Sequence, residues 1–130
     1  MDTADSACPC GSALAYAACC GRFHRGPQQG QAPTAEALMR SRYSAFALGL
    51  HDYLLATWHT STRPAALEPD PPGLKWLGLD VRRHAAQDAD HATVEFVARS
   101  KLGGRAQRLH ETSRFVREGG RWFYVDAQTR

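Results

Sequence analysis

All four cysteines of this 130-residue chain fall within thirteen positions: Cys8-Pro9-Cys10, then the adjacent pair Cys19-Cys20. Four soft sulfur ligands suit a tetrahedral zinc ion, which makes no redox or strong geometric demand of its own. Only thiolates bind, so such a site releases protons as it takes up metal. Pro9 stiffens the arm between the first two ligands. Gly11 and Gly21 leave room for backbone to return close to the sulfurs, where amide N–H groups could stabilise thiolate charge. Two other chemistries compete. A disulfide framework needs an oxidising compartment, and neither Cys8/Cys10 nor adjacent Cys19/Cys20 spaces well for an unstrained bridge. Catalytic thiol chemistry would need one cysteine set apart from the others, and nothing separates one. His24 could also replace a thiol as fourth ligand. The reading favoured by ligand count is one structural zinc.

The other polar groups of interest sit in patterns that are otherwise apolar. Ala35, Leu38, Met39, Tyr43, Phe46 and Leu50 recur at helical spacing, and Arg42 projects from the same face. Glu111 and Ser113 alternate with Leu109 and Phe115, which places an acid and a hydroxyl on the apolar side of a strand. An Arg42–Glu111 pair, joined by Tyr43 or His59, is the simplest way to compensate a buried guanidinium. Such a pair could fix register in a core or floor a ligand pocket, with Trp58, His59 and Trp76 at its mouth. No nucleophile stands beside a base: Ser113 lacks a nucleophile elbow, and the Gly-Gly pairs are turns rather than phosphate loops. On the opposite side of that strand lie Arg108, His110 and Arg114, with Arg82, Arg83 and Arg99 nearby in sequence. If they converge, they suit an acidic protein surface or RNA phosphate, although no base-stacking aromatics accompany them.

The elements that must position these residues can be read in order. The Gly-, Gln-, His- and Arg-rich stretch from Arg22 to Pro33 reads as a linker. Thr34 is a good N-cap, Glu36 complements the helix dipole in the first turn, and Gly49 ends the helix. A second helix is expected over His51 to Trp58, then a proline-rich connection allowing at most one more turn near Ala65 to Glu68. From Leu74 the period becomes two, with Leu77, Leu79 and Val81 on one side of a first strand. Asp88-Ala89-Asp90, Gly103-Gly104 and Gly119-Gly120 separate four strands, and Gly-Gly at hairpin spacing is a strong signal. Helices followed by a meander predict an α+β domain, with helices on one face of a curved antiparallel four-stranded sheet.

Charge and termini limit the function classes. Net charge is +3, and four thiolates with one divalent cation bring it to +1, too little to argue for nucleic acid alone. Residues 1–7 hold two aspartates and no apolar run, and no stretch is long enough to cross a bilayer, so a reducing, cytoplasmic location without a membrane is expected.

The cysteine spacing, with Gly11, Ser12 and Tyr16 between the ligands, resembles the SEC-C motif, and Cys20 rather than His24 completes that pattern. Ala13 departs from it where a glycine is common. Thr34-Ala-Glu-Ala-Leu-Met-Arg-Ser-Arg-Tyr-Ser-Ala-Phe, Thr57-Trp-His, Glu111-Thr-Ser-Arg-Phe-Val and Trp122-Phe-Tyr-Val-Asp126 are similar to the YchJ family of bacterial proteins. The resemblance implies a zinc motif and linker over 1–33. Over 34–130 it implies a cone-shaped, nuclear-transport-factor-2-like (cystatin-like) domain. Some relatives carry a second cysteine motif after the cone, absent by Arg130 here, so a role needing two zinc modules is not expected. The family implies no particular reaction. A similar zinc module in the protein-export motor ATPase docks onto an export chaperone and the ribosome. The expectation is therefore a non-catalytic adaptor, with Tyr16, Arg22 and Arg25 near the metal and Arg108 and Arg114 on the sheet as partner contacts. A small-molecule or enzymatic role for a pocket around Arg42, Glu111 and His59 is the alternative.

Overall fold

A computed structural model describes residues 6–129. A 3-10 turn, Tyr16–Ala18, and a one-turn helix α1, Gly21–His24, follow the cysteine loop. Helices α2 (Ala35–Leu48) and α3 (His51–Ala56) precede strands β1 (Lys75–Asp88), β2 (His91–Leu102), β3 (Arg105–Glu118) and β4 (Arg121–Thr129). The sheet is an antiparallel meander in the order β1-β2-β3-β4.

Local chemistry accounts for the boundaries. Thr34 Oγ1 accepts the Ala37 N–H at 3.0 Å and caps α2. Gly49 ends the helix at φ +72°, and its N–H turns back to the Ala45 and Phe46 carbonyls. The two Gly-Gly turns have positive φ at both residues (+59° and +79°, then +60° and +79°), the backbone of a type I′ hairpin. The expected turn at Ala65 to Glu68 does not form, and α3 ends at Ala56 rather than Trp58. After α3 an isolated parallel bridge joins Trp58 to Tyr124 of β4, and a turn over residues 60–62 follows. Thr57 O accepts the Tyr124 N–H, and Tyr124 O accepts the His59 N–H. Leu77 also departs from expectation. A bulge between Trp76 and Gly78 breaks the alternation, and Leu77 is 55% exposed while Leu79 and Val81 pack on the core.

One apolar core joins the cysteine loop, α2, α3 and the concave sheet face, where Ala92, Val94, Phe96, Ala98 and Phe115 are buried. The stretch expected to be a linker contributes Phe23, His24 and Ala32 to that interior. Helix α2 therefore has two working faces rather than one apolar stripe. Met39, Arg42, Tyr43 and Phe46 look into the cone, and Ser41 and Ser44 meet the cysteine loop side. Small serines at that second face let the loop approach closely.

Candidate metal centre and cone pocket

The cysteine loop is closed by short-range backbone bonds. Ala7 bridges Ala15, the Cys8 N–H donates to Leu14 O, and the Gly11 N–H turns back to Cys8 O. This places Cys8 and Cys10 on a tight knuckle; Cys19 and Cys20 arrive from the 3-10 turn and the start of α1. The four sulfurs all lie within 4.8 Å of one another, and all four residues are buried. Cys10 and Cys19 Sγ are 3.6 Å apart. A tetrahedron with metal–sulfur bonds of about 2.3 Å has edges of about 3.8 Å, so the donor set fits a tetrahedral ion. The same separation rules out a sulfur–sulfur bond, and all four thiols are free.

Electrostatics point the same way. Contacts with Cys10 and Cys20, and then the Ser44 hydroxyl, hold the Cys8 thiol far below the ordinary range. Contact with Cys10 and Cys8 and burial push the Cys20 thiol far up. One thiolate is thus favoured, and adding further negative charge to the same buried pocket requires a cation. The Cys10 backbone N–H helps to stabilise the Cys8 thiolate, as expected of amides in this loop, and hydroxyls approach as well: Ser44 Oγ lies 3.5 Å from Cys8 Sγ and Ser12 Oγ 3.1 Å from Cys19 Sγ. His24 is not a fourth ligand. Its Nε2 lies 2.8 Å from the Ser41 carbonyl, which can only accept, so Nε2 carries the proton and Nδ1 accepts from the Tyr16 hydroxyl. Burial lowers the His24 pKa, in keeping with that neutral tautomer.

This network corrects the place given to Tyr16. It is 2% exposed, packed beneath Gly21, whose missing Cβ would sit 2.8 Å from Tyr16 O and 2.9 Å from its ring. It supports the loop from inside and offers nothing to a partner. Arg22 donates from Nε to Cys19 O and lies over the Phe23 ring, and Arg25 is exposed. Arg40 fastens the loop to α2, donating to Cys10 O at 3.2 Å while it pairs with Glu36. Leu14, 52% exposed, is the large apolar residue at the rim.

In the cone, α2 and the sheet enclose a cavity of about 290 Å³ lined by Arg42, Tyr43, Trp58, Glu111 and Ser113, and by Tyr124, Asp70 and Trp76. The expected Arg42–Glu111 ion pair does not form among the described residues. Arg42 is 3% exposed, and its Nη1 donates to Leu54 O and Thr57 Oγ1, both at 2.7 Å. Its guanidinium carbon lies 4.5 Å from the centre of the Tyr124 ring and 5.2 Å from that of Trp58. Burial pushes its pKa down to about 10, which leaves it cationic at neutral pH. Glu111, further along β3, is within 3.5 Å of Thr129 Oγ1. His59 also lies elsewhere: consecutive residues of an extended segment point to opposite sides, so Trp58 enters the cone and His59 leaves it for Ser61 and Glu118.

Two of the five arginines expected on the outer sheet face, and one of its histidines, are paired with acids among the described residues. Arg114 makes a two-pronged pair with Asp126, Arg82 pairs with Asp80, and His110 with Glu95. Arg108 sits opposite Arg99 in the β2–β3 register and Arg83 opposite Glu95 in β1–β2. Ser44, Ser41 and Thr57 are the functional residues that sequence reasoning missed. The signal available was Ser41 and Ser44 three apart on one helix face.

A sequence model of the SEC-C motif matches residues 6–22, and one of the YchJ middle NTF2-like domain matches residues 34–127. The chain belongs to the YchJ family. Among YchJ-like relatives, a UPF0225 protein of Methylibium petroleiphilum is 66% identical, the match covering 93% of this chain and 87% of the relative. A UPF0225 protein of Bordetella parapertussis is 60% identical over 96% of this chain and 94% of its own length. Two solved SEC-C motif containing proteins share the fold. The Rhodopseudomonas palustris solution structure has a TM-score of 0.80 at 34% identity, covering 96% of this chain and 99% of that one. The Psychrobacter arcticus crystal structure has a TM-score of 0.82 at 30% identity, covering 100% and 86%. No helix among the described residues of this YchJ-family chain is long and apolar enough to cross a membrane.

Proposed function

We propose that Cys8, Cys10, Cys19 and Cys20 hold one structural zinc ion in a reducing, cytoplasmic setting, and that the chain is a non-catalytic adaptor. The observation that carries the metal is the buried four-sulfur set, with its spacing and its inability to hold several negative charges uncompensated. Zinc, among divalent ions, best matches four thiolates in a tetrahedron with no open position. A closed site of this kind braces structure and leaves no place for substrate at the metal. The adaptor's contact surface would be built from the exposed Leu14 of the loop and the exposed cationic Arg22 and Arg25 that follow it. An acidic protein surface with an apolar notch fits these residues, whether on a soluble protein or on the ribosome.

Native mass spectrometry of protein purified without added metal tests the first part: a mass excess of one zinc is expected, and a metal-free or iron-loaded chain overturns it. For the second, cross-linking in cells should capture a defined partner that Leu14→Asp and Arg25→Glu lose while retaining zinc. Partners indifferent to both changes overturn the adaptor.

A second reading is favoured by one observation in the cone. Arg42, cationic and buried, faces an aromatic cavity and pairs with no carboxylate among the described residues. Under this reading the cone binds a small molecule. A thermal-shift screen tests it, and a melting point moved by no ligand counts against it.

A further inference from the structure

Arg42 is anchored on one side only. Nη1 is committed to Leu54 O and Thr57 Oγ1, and the Thr57 hydroxyl passes its own proton to Tyr53 O. Among the described residues, Nε and Nη2 meet no acceptor. Arg42 lines the cavity and no sealed side-chain nitrogen or oxygen lacks a partner, so the Nε–Nη2 edge is open to the cavity. Rings of Trp58 and Tyr124 fix the guanidinium plane. A flat two-donor edge, held in place before any ligand arrives, is the geometry that a carboxylate accepts bidentately. Ser113 of β3, 2% exposed and without a protein partner for its hydroxyl among the described residues, adds a third donor to the cavity lining.

We propose that the cone binds a small monoanionic carboxylate carried on a flat apolar body, with Arg42 gripping the carboxylate. This rests on the second reading above and adds the ligand class to it. Three features select that class. The cavity contains one cation and no helix N-terminus or glycine loop, and it shares its wall with the acids Glu111 and Asp70, so a dianion such as a phosphate monoester would be repelled. Its size, about 290 Å³, sits at the small end of ligand pockets. Its remaining surface is aromatic, from Tyr43, Phe46, Trp76 and Phe96, which suits a planar ring.

The test uses the whole metal-loaded chain and four probes: benzoate, phenylacetate, 3-phenylpropionate and indole-3-acetate, each beside its neutral amide and the amine of the same size. Binding is read by calorimetry and by NMR shifts of the Trp58 and Trp76 indole N–H signals. At least one carboxylate should bind about tenfold or more tighter than its amide and amine, and Arg42→Lys, which keeps charge but loses the planar fork, should erase that preference. Leu109→Trp, a change at a 41% exposed residue on the cavity mouth, should weaken binding without unfolding the chain. Amides that bind as tightly as acids would overturn the carboxylate class and leave the pocket standing. Failure of every probe, of any charge, to bind would overturn both. The comparison of acids with amides needs no variant, so it decides the matter even if Arg42→Lys does not fold.

Discussion

The two sites lie on opposite sides of one helix and are built by opposite means. At the cysteine loop all four candidate donors come from thirteen neighbouring residues, and under the proposal above an ion supplies the ordering free energy. In the cone, Arg42 of α2, Thr57 and Trp58 after α3, Ser113 of β3 and Tyr124 of β4 converge across more than eighty positions, and packing with hydrogen bonds between distant elements holds them. The first arrangement is saturated: four donors suit one ion and nothing is left open. The second is unsaturated, with a cation whose outward edge meets no protein acceptor among the described residues. Saturation is the mark of a brace, and an unpaired donor edge in a largely apolar cavity is the mark of a receptor.

The largest effect that could break this contrast is metal removal. Structural zinc in small sites contributes on the order of 10 kcal/mol, so chelation under reducing conditions, or Cys10→Ser, should abolish order in residues 6–24. Hydrogen exchange should show protection lost there and reduced around Ser41 and Ser44, with the β2–β3 ladder retained. Full protection of the loop in metal-free protein would show that packing suffices, and the two sites would no longer differ in kind.

Next comes Gly21→Ala. The new methyl would meet Tyr16 O and the Tyr16 ring at under 3 Å. A destabilisation of about 1–3 kcal/mol is expected, read as a lower urea midpoint with metal still bound. An unchanged midpoint would mean that Tyr16 does not press against α1.

Acidification sharpens the same point through His24. Burial lowers its pKa in the fold, whereas the unfolded chain takes up a proton near 6.5. The stabilisation is therefore complete above that value and is lost progressively as pH falls below it toward the folded pKa. Release of the proposed zinc would also weaken the protein in acid, so the comparison is with His24→Gln: its urea midpoint should fall less between pH 7 and 5.5 at matched metal content. Parallel curves for the two proteins would remove His24 from the account.

The smallest effect is expected at Ala13, a non-glycine residue at φ +70°. Ala13→Gly relieves that left-handed strain and gives back part of the gain as chain entropy, so stability should rise by about 0.5–1 kcal/mol. A lower melting point would sink this prediction.

The uneven legibility of the two sites follows from how they are made. Cys8 through Cys20 could be read directly because spacing along the chain is nearly the whole geometry of the loop. Thr34, Gly49 and the two Gly-Gly turns were readable for the same reason: each acts within a few residues of itself. The parity of Glu111 and Ser113 was readable too, since a strand's two sides follow from alternation. How far along β3 each residue meets α2 was not, and that distance decides against an Arg42–Glu111 pair. The acceptors Arg42 uses are a helix-end carbonyl and the Thr57 hydroxyl, and no side-chain pattern announces a free carbonyl. His59 was placed beside Trp58 because the two are neighbours, yet the bridge to β4 makes that segment extended and sends them apart. Tyr16 looked available because loops are usually exposed. Here the loop is roofed onto a helix, and its aromatic became the underside.

Ser41 and Arg42 are adjacent in α2; the carbonyl of the first takes the His24 ring that supports the cysteine loop, and the side chain of the second lines the cavity. Whatever steadies this stretch of backbone is felt on both sides of it. Thermodynamic linkage makes that influence mutual: should occupancy of the sulfur cage improve the grip of Arg42 on a guest by some factor, the guest must make the cage hold its ion more firmly by the same factor.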